Sequence, residues 1–485
     1  MERTSALQVN NKKAADIRIT CPWTFSLSPS LVAVAVELET VVVLVIVVTG
    51  PRPRSLAEEV VAVLSRLGTI SMCDKSEAIG GSEFTIQWLE DKIQESLDSK
   101  ATIQEYSITP VGYGKGFLSE VFIVKIVWDQ QSPSLPNSLA LKIPGTKQFE
   151  KMMKKAEEGQ FEELQEMKEA MGEFDLTKFP VFKAHKCEVA TYKVFGKLAP
   201  VGLTVPKCYY GQELLKNQQG ILVLDDLSHG VLSQFIDGLS LDQLMQVAEN
   251  IAALQAYSLQ TDDWKQPDMQ VTFQDMMVDG MPEMEKMSKI SAEQLKKDEP
   301  ELFDPIADEI PRLHKSMDDV NYIYKLNEQL GFPDVLCNGD LHCQNMMWVK
   351  DEETGDASGK LLGLIDWQVC HPGNMAEDLA RCFTSSVPAD IRREHYIAVL
   401  KHYYECLRRN LGGEPPFTFD QVLQSYKRCF KFGVLTIVGM FAFFTKDPEI
   451  MGTKNVEERR RKFMERGQAA IEDLVMYEKQ FEGEN

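Results

Sequence analysis

The stretch CNGDLHCQN at residues 337–345, with LIDW at residues 364–367, is the most informative part of this sequence. It places Asp340 five positions before Asn345, and an apolar run then ends at Asp366. A short loop brings the first two side chains together, and the apolar run predicts a strand that carries the third to the same place. Carboxylate and amide oxygens are the ligands that Mg2+ prefers, so this stretch predicts a site for Mg2+ and phosphate oxygens.

Length and composition limit the classes of protein to which the chain can belong. Its 485 residues, 44% of them hydrophobic, allow two or more domains with real cores. The formal net charge of -21 argues against a nucleic-acid partner, because phosphate backbones are bound by basic surfaces. The ten cysteines form no CxxC pair. This pattern favours reduced thiols in a cytoplasmic protein over disulfides or a zinc site.

Residues 1–82 are unlike the rest of the chain and form a predicted N-terminal extension of uncertain order. Their Val-rich segment, residues 31–48, is interrupted by Glu37 and Glu39. Three alternatives remain open for this segment: an extra strand or helix, an unstructured extension, or a membrane anchor. The anchor is the least favoured, because a span needs about 20 apolar residues and two central carboxylates are costly.

The remaining sequence predicts two regions of different character. Residues 83–226 contain several β-branched apolar stretches, whereas residues 227–485 are mostly helical in pattern. The helical region is interrupted by the predicted catalytic loop at 337–346 and by the predicted metal-binding segment at 362–368. We therefore predict an α+β fold with a small β-rich N-lobe and a larger, mainly helical C-lobe.

Candidate phosphate-binding groups precede the loop in the chain. Gly114, Gly116 and Ser119 lie in a predicted hairpin turn whose backbone N–H groups could face an anion. Gly-rich hairpins are common, so this segment taken alone favours an ordinary turn over a phosphate site. Lys142 ends a short apolar strand, from which its ammonium could reach phosphates or simply extend to solvent.

Two further positions complete the predicted nucleotide site. Glu188, on a predicted helix, is the expected ion-pair partner of Lys142, with Glu173 and Asp175 as alternatives. Leu224 and Asp226 follow an apolar strand where a hinge between lobes would expose backbone groups to a nucleotide base. An ordinary strand end would show the same pattern.

These motifs resemble the ecdysteroid kinase-like group, often labelled CHK kinase-like, of the choline-kinase and aminoglycoside-phosphotransferase superfamily. That group carries His-Gly-Asp-Leu-Trp-x-x-Asn, which stands here as NGDLHCQN at residues 338–345. It also carries Ile-Asp-Trp-Gln and then Gly-x-x-x-Glu-Asp-Leu-x-Arg. Here these are residues 365–368 and residues 373–381.

The resemblance covers residue 84 to the C-terminus and implies a bilobal, protein-kinase-like fold. It also implies ATP, Mg2+ and a small-molecule alcohol, such as a steroid or a xenobiotic, as the acceptor of the γ-phosphoryl group. By this resemblance, Asp340 and Asn345 are catalytic, and Asn345 and Asp366 are the metal ligands. Asp378 and Arg381 are expected to support the loop.

Two positions depart from the family pattern: Asn338 replaces His, and His342 replaces Trp. Asn338 offers a donor and an acceptor that can partly replace the loop-bracing hydrogen bonds of His. His342 is expected either to contact an acceptor or to face solvent. Asn338 and the imperfect Gly loop support a second hypothesis, a pseudokinase that binds nucleotide with impaired catalysis, and the retention of Asp340, Asn345 and Asp366 argues against it. A protein kinase is less favoured, because no Ala-Pro-Glu signature follows Asp366.

Overall fold

The structure is a computed structural model, and its description covers most of the chain from residue 74 onward. The described residues are 24–28, 31–38, 41–48, 69–72, 74–111, 119–145, 181–197, 202–271, 275, 281–315, 322–446, 448–452 and 454–481.

The Val-rich segment forms two strands of a small antiparallel sheet. The strands are β1 (Thr24–Ser28), β2 (Leu31–Leu38) and β3 (Val41–Val48), in that order across the sheet. Leu31 pairs with Val48 and Leu38 with Val41, so β2 and β3 form a regular hairpin. Valine favours extended backbone because branching at Cβ restricts its χ1 rotamers. Of the three alternatives for this segment, the structure has the extra strand. Among the described residues, no helix is long and apolar enough to cross a membrane.

Two compact units divide the chain. The first comprises Met1–Glu90, Lys100–Thr109 and Val124–Asn137, and the second comprises Asp91–Ser99, Pro110–Ile123 and Ser138–Asn485. Every residue of the predicted catalytic and metal site belongs to the second unit. The predicted boundaries after residues 82 and 226 remain predictions.

The β-rich region has antiparallel strand pairs in both units. Within the first unit, β4 pairs with β5. Within the second unit, β7 and β8 pair with opposite edges of β9, and Lys142 of β7 lies opposite Leu222 of β9. The elements are β4 (Thr69–Met72), α1 (Ile86–Leu97), β5 (Ile103–Pro110), β6 (Ser119–Trp128), β7 (Ser138–Pro144), α2 (Val181–Lys197), β8 (Cys208–Gln212) and β9 (Ile221–Asp225).

The region that follows is mainly helical. The Ser240 hydroxyl and the Gln243 side chain form a capping box that fixes the start of its first long helix. The elements are β10 (Val231–Leu232), α3 (Leu241–Gln260), α4 (Met281–Asp298), α5 (Pro300–Phe303), α6 (Glu309–Lys315), α7 (Tyr322–Leu330), β11 (Val335–Cys337), β12 (Met346–Lys350), β13 (Ala357–Leu364), β14 (His371–Gly373), α8 (Glu377–Ser386), α9 (Ala389–Leu411), α10 (Phe419–Phe444), α11 (Pro448–Met451) and α12 (Val456–Phe481).

Helix packing in the second unit creates the support for the predicted site. Helix α3 packs on α9, and α8 packs on α10, which also contacts α12. Two small antiparallel sheets, β10–β12–β13 and β11–β14, lie among these helices and carry the loop-forming segments. The predicted α+β class is confirmed, with a small antiparallel sheet region and a larger helical part.

Candidate active site

The predicted catalytic loop leaves a buried strand and turns at a glycine. All three residues of β11 are fully buried, which fixes the start of the loop. Gly339 has φ +82°, and a Cβ there would collide with the carbonyl oxygen of Val369. At the far end of the loop, the Ile365 N–H donates to the Asn345 carbonyl at 2.9 Å. The two stretches that opened the sequence analysis are therefore adjacent in space.

Asp378, the second residue of α8, holds the buried side of this loop. Its two carboxylate oxygens accept hydrogen bonds from the backbone N–H groups of Asn338 (2.8 Å) and Gly339 (2.9 Å). The side chain is completely buried. Burial raises the pKa of Asp378 to about 6, although the two backbone N–H groups oppose the shift. The carboxylate thus fixes the loop backbone, which agrees with a supporting role.

Asn338 joins the loop to the predicted metal-binding segment. Its side-chain Nδ2 donates to the carbonyl oxygen of Asp366 at 3.3 Å, and its Oδ1 accepts from the backbone N–H of Asp340 at 3.1 Å. The residue is 1% exposed. Both bonds are at the long end of the normal range, so each is a modest contribution. Asn338 therefore uses its donor and its acceptor to brace the two segments that carry the predicted acids.

Asp340 faces two basic side chains and the predicted Asn partner. Arg381 Nη2 lies 2.9 Å from Asp340 Oδ1, and His342 Nε2 lies 3.3 Å from Oδ2. Asn345 Nδ2 donates to the Asp340 carbonyl at 3.0 Å. Burial opposes ionisation, but His342 and Arg381 outweigh it and lower the pKa of Asp340 well below its ordinary value. This carboxylate is therefore charged at neutral pH and can accept a proton or a hydrogen bond.

Lys142 is held between two carboxylates. Its Nζ lies 2.9 and 2.8 Å from the two Glu188 carboxylate oxygens and 3.0 Å from Asp366 Oδ1. The Trp367 N–H also donates to Glu188 Oε1 at 3.4 Å. Burial works against the charge on Lys142, but Asp366 and Glu188 together raise the pKa of its ammonium. Burial raises the pKa of Glu188, with Lys142 opposing that shift.

The predicted magnesium ligands fit a hard, oxygen-coordinated cation in their chemistry. Asp366 has φ +64°, a left-handed backbone conformation that is uncommon for a non-glycine residue. Its side chain is 23% exposed, so the carboxylate is partly accessible. Asn345 uses Nδ2 for its bonds to Asp340 and His342, which leaves its Oδ1 out of those contacts. Asp366 and Asn345 thus present a carboxylate and an amide oxygen, the donor types suited to Mg2+.

The other predicted nucleotide-site residues either lie outside the described residues or are held in the sheet and its adjoining turn. Gly114 and Gly116 lie outside the described residues, as do Glu173 and Asp175. Ser119 begins β6 and is buried. Leu224 pairs with Ala140 within the sheet. Asp226 accepts hydrogen bonds from Ser138 Oγ (2.5 Å) and the Ser228 N–H (2.7 Å), so its carboxylate is occupied by local structure.

Two contacts of the loop were not predicted from the sequence. The first contact is between His342 and Asp340, whose atoms Nε2 and Oδ2 lie 3.3 Å apart. The sequence signal for this contact was that His342 follows Asp340 by two positions in a tight loop. Ser386, at the end of α8, accepts from the Cys343 N–H at 2.9 Å. It lies 43 residues away in sequence, and no local pattern indicates that contact.

Comparison with known proteins adds relatives of two kinds. The Caenorhabditis elegans protein named "Uncharacterized oxidoreductase dhs-27" is 26% identical over 362 residues, 73% of this chain and 41% of the relative. The C. elegans "Uncharacterized kinase-like protein D1044.1" is 26% identical over 288 residues, 57% of this chain and 72% of the relative. The chain thus spans less than half the length of the first relative.

Solved structures of two small-molecule phosphotransferases are also similar to this chain. The Plasmodium vivax ethanolamine kinase is 12% identical with a TM-score of 0.37, over 90% of this chain and 98% of that protein. The GDP complex of aminoglycoside 2′-phosphotransferase-IIIa is 11% identical with a TM-score of 0.37, over 78% of this chain and 97% of that protein. The family model described as "Uncharacterized oxidoreductase dhs-27" matches residues 73–481, well over half of the chain, and the protein therefore belongs to that family.

Proposed function

We propose that this protein is an ATP-dependent phosphotransferase that transfers the γ-phosphoryl group to a hydroxyl of a small molecule. The observation that carries the proposal is the link between two groups of side chains in one unit. Lys142, Glu188 and Asp366 form one ion-paired group, and the loop around Asp340 forms the other. Asn338 joins them by its bond to the Asp366 carbonyl. A cation for phosphates thus lies close to a carboxylate for an attacking hydroxyl.

Each of these side chains has a role in the proposed reaction. The oxygen of the acceptor hydroxyl forms a bond to the γ-phosphorus, its proton passes to Asp340, and ADP leaves. Lys142 would bind phosphate oxygens, with Glu188 fixing the direction of its ammonium. Asn345 and Asp366 would hold Mg2+, which neutralises charge on the phosphates when bound. His342 and Arg381 lower the pKa of Asp340.

The acceptor is the least defined part of the proposal. The resemblance to ecdysteroid kinase-like proteins favours a steroid alcohol, and amino alcohols and glycosides are the other classes to test. The helical region would supply the acceptor pocket, because Asp340 contacts Arg381 of α8. A screen of these three alcohol classes for ATP consumption identifies the class.

A pseudokinase that binds nucleotide without efficient transfer is the second candidate. The observation that favours it is that both acids are already paired: Arg381 holds Asp340, and Lys142 holds Asp366. An enzyme of this design must exchange the Lys142–Asp366 contact for phosphate and metal contacts at each turnover. The name of the first relative also raises oxidoreductase activity, which an NADPH-consumption assay with the same compounds tests directly.

ATP turnover and Mg-ATP binding, measured on the full-length chain, separate these functions. We expect Asp340→Asn to lower acceptor-dependent turnover by about 10²- to 10⁴-fold while the thermal shift given by Mg-ATP remains. Asp366→Asn should abolish that thermal shift. The matched control is Asp304→Asn, which replaces an exposed aspartate between α5 and α6. It should change neither the turnover nor the thermal shift.

Three outcomes would change the conclusion. A thermal shift without turnover on any acceptor would establish the pseudokinase. Equal turnover in Asp340→Asn and wild type would exclude Asp340 as the proton acceptor. NADPH consumption without ATP consumption would replace the phosphotransferase by an oxidoreductase.

A further inference from the structure

Helix α8 contacts the catalytic loop from its start to its end. Near the start, Asp378 binds the loop backbone, and three residues later Arg381 lies 2.9 Å from Asp340. At the end, Ser386 Oγ accepts from the Cys343 N–H at 2.9 Å. Because all of these contacts come from one helix of ten residues, a displacement of α8 displaces the loop. The position of the catalytic loop therefore depends on what fixes α8.

Arg466, on α12, is bonded to the C-terminal end of α8. Its Nη1 donates to the Ser385 carbonyl at 3.2 Å and to the Phe235 carbonyl at 3.0 Å, and its Nη2 donates to the Ile236 carbonyl at 3.0 Å. The side chain is 1% exposed. Arg466 therefore joins three parts of the molecule: α12, the end of α8, and the turn between β10 and α3.

Among the described residues, the hydrogen bonds of this buried guanidinium go to carbonyl oxygens alone, whereas buried charges in proteins are mostly paired. Burial lowers the pKa of Arg466 to about 10, so the side chain is still a cation at neutral pH. Its compensation is the C-terminal end of α8, where the helix dipole is negative and the last carbonyl groups lack intrahelical donors. The planar fork of a guanidinium also reaches the carbonyls of two segments at once, which a single ammonium does poorly.

The turn between β10 and α3 leaves room for Arg466 because it contains a glycine. Gly238 has φ +76°, and a Cβ there would lie 2.7 Å from Arg466 Nη2 and 2.5 Å from the Ser386 carbonyl oxygen. The next residue, Leu239, donates its N–H to that same carbonyl at 2.7 Å. The turn therefore contacts the last residue of α8, while the guanidinium binds Ser385 beside it.

Hydrogen bonds connect the contact of Arg466 to the catalytic loop. Ser385, whose carbonyl accepts from Arg466, donates from its Oγ to the Arg381 carbonyl at 2.8 Å. Its Oγ also lies 2.9 Å from Ser386 Oγ, the atom that accepts from the Cys343 N–H. Both serines are at most 1% exposed, so water does not replace these bonds. A contiguous series of hydrogen bonds thus runs from α12 to the loop.

We propose that Arg466 is a positioning residue, which fixes the C-terminal end of α8 and thereby the catalytic loop that α8 holds. In the described structure its side chain bonds neither Asp340 nor Lys142 and Asp366, so its effect on the site passes through α8. The effect on the position of the loop does not depend on the reaction. The effect on catalysis rests on the proposed phosphotransferase function.

Hydrogen–deuterium exchange of the full-length protein tests the positional part without any substrate. In Arg466→Lys, three buried carbonyls lose the donors of the fork, so the end of α8 and the loop should open more often. We expect peptides that cover residues 337–346 and 383–387 to exchange about 10- to 100-fold faster than in wild type.

Arg392→Lys is the matched control, because it makes the same change at another buried arginine. Arg392 is also 1% exposed, and its Nη2 donates to Asp473 of α12 at 2.8 Å. Losing that bond lowers the stability of the whole fold, but a local opening of the loop leaves the bond intact. Peptides from the loop should therefore exchange at the wild-type rate in this control.

Steady-state kinetics on an acceptor that wild type turns over test the catalytic part. With rates referred to folded protein, Arg466→Lys should lower kcat by about 10- to 100-fold, since small displacements of catalytic groups cost factors of this size. The KM for ATP should stay unchanged, because Lys142 and Asp366 lie outside α8. Arg466→Met, which lacks both the charge and the fork, should lower kcat further, so that lysine gives a partial rescue.

Several outcomes would overturn the proposal. Loop exchange at the wild-type rate in folded Arg466→Lys would do so, as would an equal increase in Arg392→Lys. Faster exchange with unchanged kcat would overturn the catalytic part. Wild type without turnover on any acceptor would instead contradict the phosphotransferase function, and the exchange results would still decide the role of Arg466.

Exchange in wild type decides the matter even if neither Arg466 variant folds. In low denaturant, the loop peptide and the peptide that contains Leu239 should share one opening free energy, because the Ser386 residue bonds both segments. Separate openings would show that the loop moves without the end of α8, and Arg466 would then have no means of positioning it.

Discussion

Two aspartates at the catalytic loop differ in burial and in acidity: the side chain of Asp340, within the loop, is 28% exposed, whereas Asp378, on α8, is completely buried. Asp340 faces Arg381 and His342, which lower its pKa despite burial. Asp378 accepts hydrogen bonds from the backbone N–H groups of Asn338 and Gly339, and burial raises its pKa to about 6. Cationic partners thus keep one carboxylate charged for chemistry, whereas neutral donors let the other fix the backbone at the cost of desolvation.

The largest expected effect comes from removing the buried side of this pair. Asp378→Ala leaves two buried N–H groups, those of Asn338 and Gly339, without an acceptor. Each such group costs about 1–3 kcal/mol, so we expect the free energy of unfolding to fall by about 2–5 kcal/mol. Denaturant unfolding measures this. Asp351→Ala, which removes an exposed carboxylate that also accepts backbone N–H bonds, is the control and should cost about 1 kcal/mol or less.

A result near zero for Asp378→Ala would contradict the role given to this carboxylate. It would mean that the loop backbone keeps its conformation without the two hydrogen bonds. Asp340 and Asp378 would then differ in their charge state, and Asp378 would have no role in fixing the loop backbone.

The second prediction uses the opposite directions of the two pKa shifts. The folded pKa of Asp378 lies above its unfolded value, so the folded state binds more protons between about pH 4 and about pH 6. The contribution of Asp378 to stability is therefore highest below pH 4 and falls by up to about 3 kcal/mol as pH rises through 6. The contribution of Asp340, whose pKa is lowered, changes the other way and is lost only in acid.

The measurement is the difference in unfolding free energy between wild type and Asp378→Asn across pH 4 to 7. We expect the difference to change in the stated direction. A difference that is constant with pH would show that Asp378 does not titrate in this window.

How much of this was predictable depends on the distance over which each feature is encoded. Asp340, Asn345 and Asp366 could be grouped from the sequence, because a short loop joins the first two and an apolar run leads to the third. The ion pair of Lys142 with Glu188 followed from their order and from the family resemblance. The pairing partners of Cys337, by contrast, depend on the register of β11 against β14, which no local pattern specifies.

The Val-rich segment is a second region in which the sequence did not specify the pairing of strands. Its composition favoured extended backbone, but an apolar run of eight residues is consistent with several structures. The hairpin of β2 and β3 is formed by pairing between the strands, and pairing is not visible in either strand alone. The hydrogen bond between Ser386 and the Cys343 N–H could not be predicted for the same reason.

The third prediction concerns Arg381, one of the two basic partners of Asp340. Arg381→Met keeps an apolar stem of similar length but removes the guanidinium that lies 2.9 Å from Asp340 Oδ1. We expect kcat to fall by about 10- to 100-fold and the acid limb of the pH–rate profile to move to higher pH, because Asp340 loses a charge partner. Arg393→Met, at an ion pair on α9 away from the loop, is the control and should leave the profile unchanged.

An unchanged acid limb in Arg381→Met would assign the control of Asp340 to His342 instead. His342→Ala then becomes the informative variant, because it removes the other basic side chain that lowers the pKa of Asp340. A shift in that variant alone would locate the charge control within the loop itself.

The smallest effect is expected at Asn338, which connects the two acids of the proposed site. Asn338→His places there the residue that the ecdysteroid kinase-like group carries. The His ring could donate to the Asp366 carbonyl, which accepts a 3.3 Å hydrogen bond from Asn338 in this protein. Because a single modest hydrogen bond contributes about 0.5–1.5 kcal/mol, turnover should rise by no more than about 10-fold. Asn338→Ala should lower turnover by a similar factor with Mg-ATP binding retained. Equal turnover in all three proteins would mean that the bond between the loop and the Asp366 segment is not limiting, and that Asp378 alone sets the position of the loop.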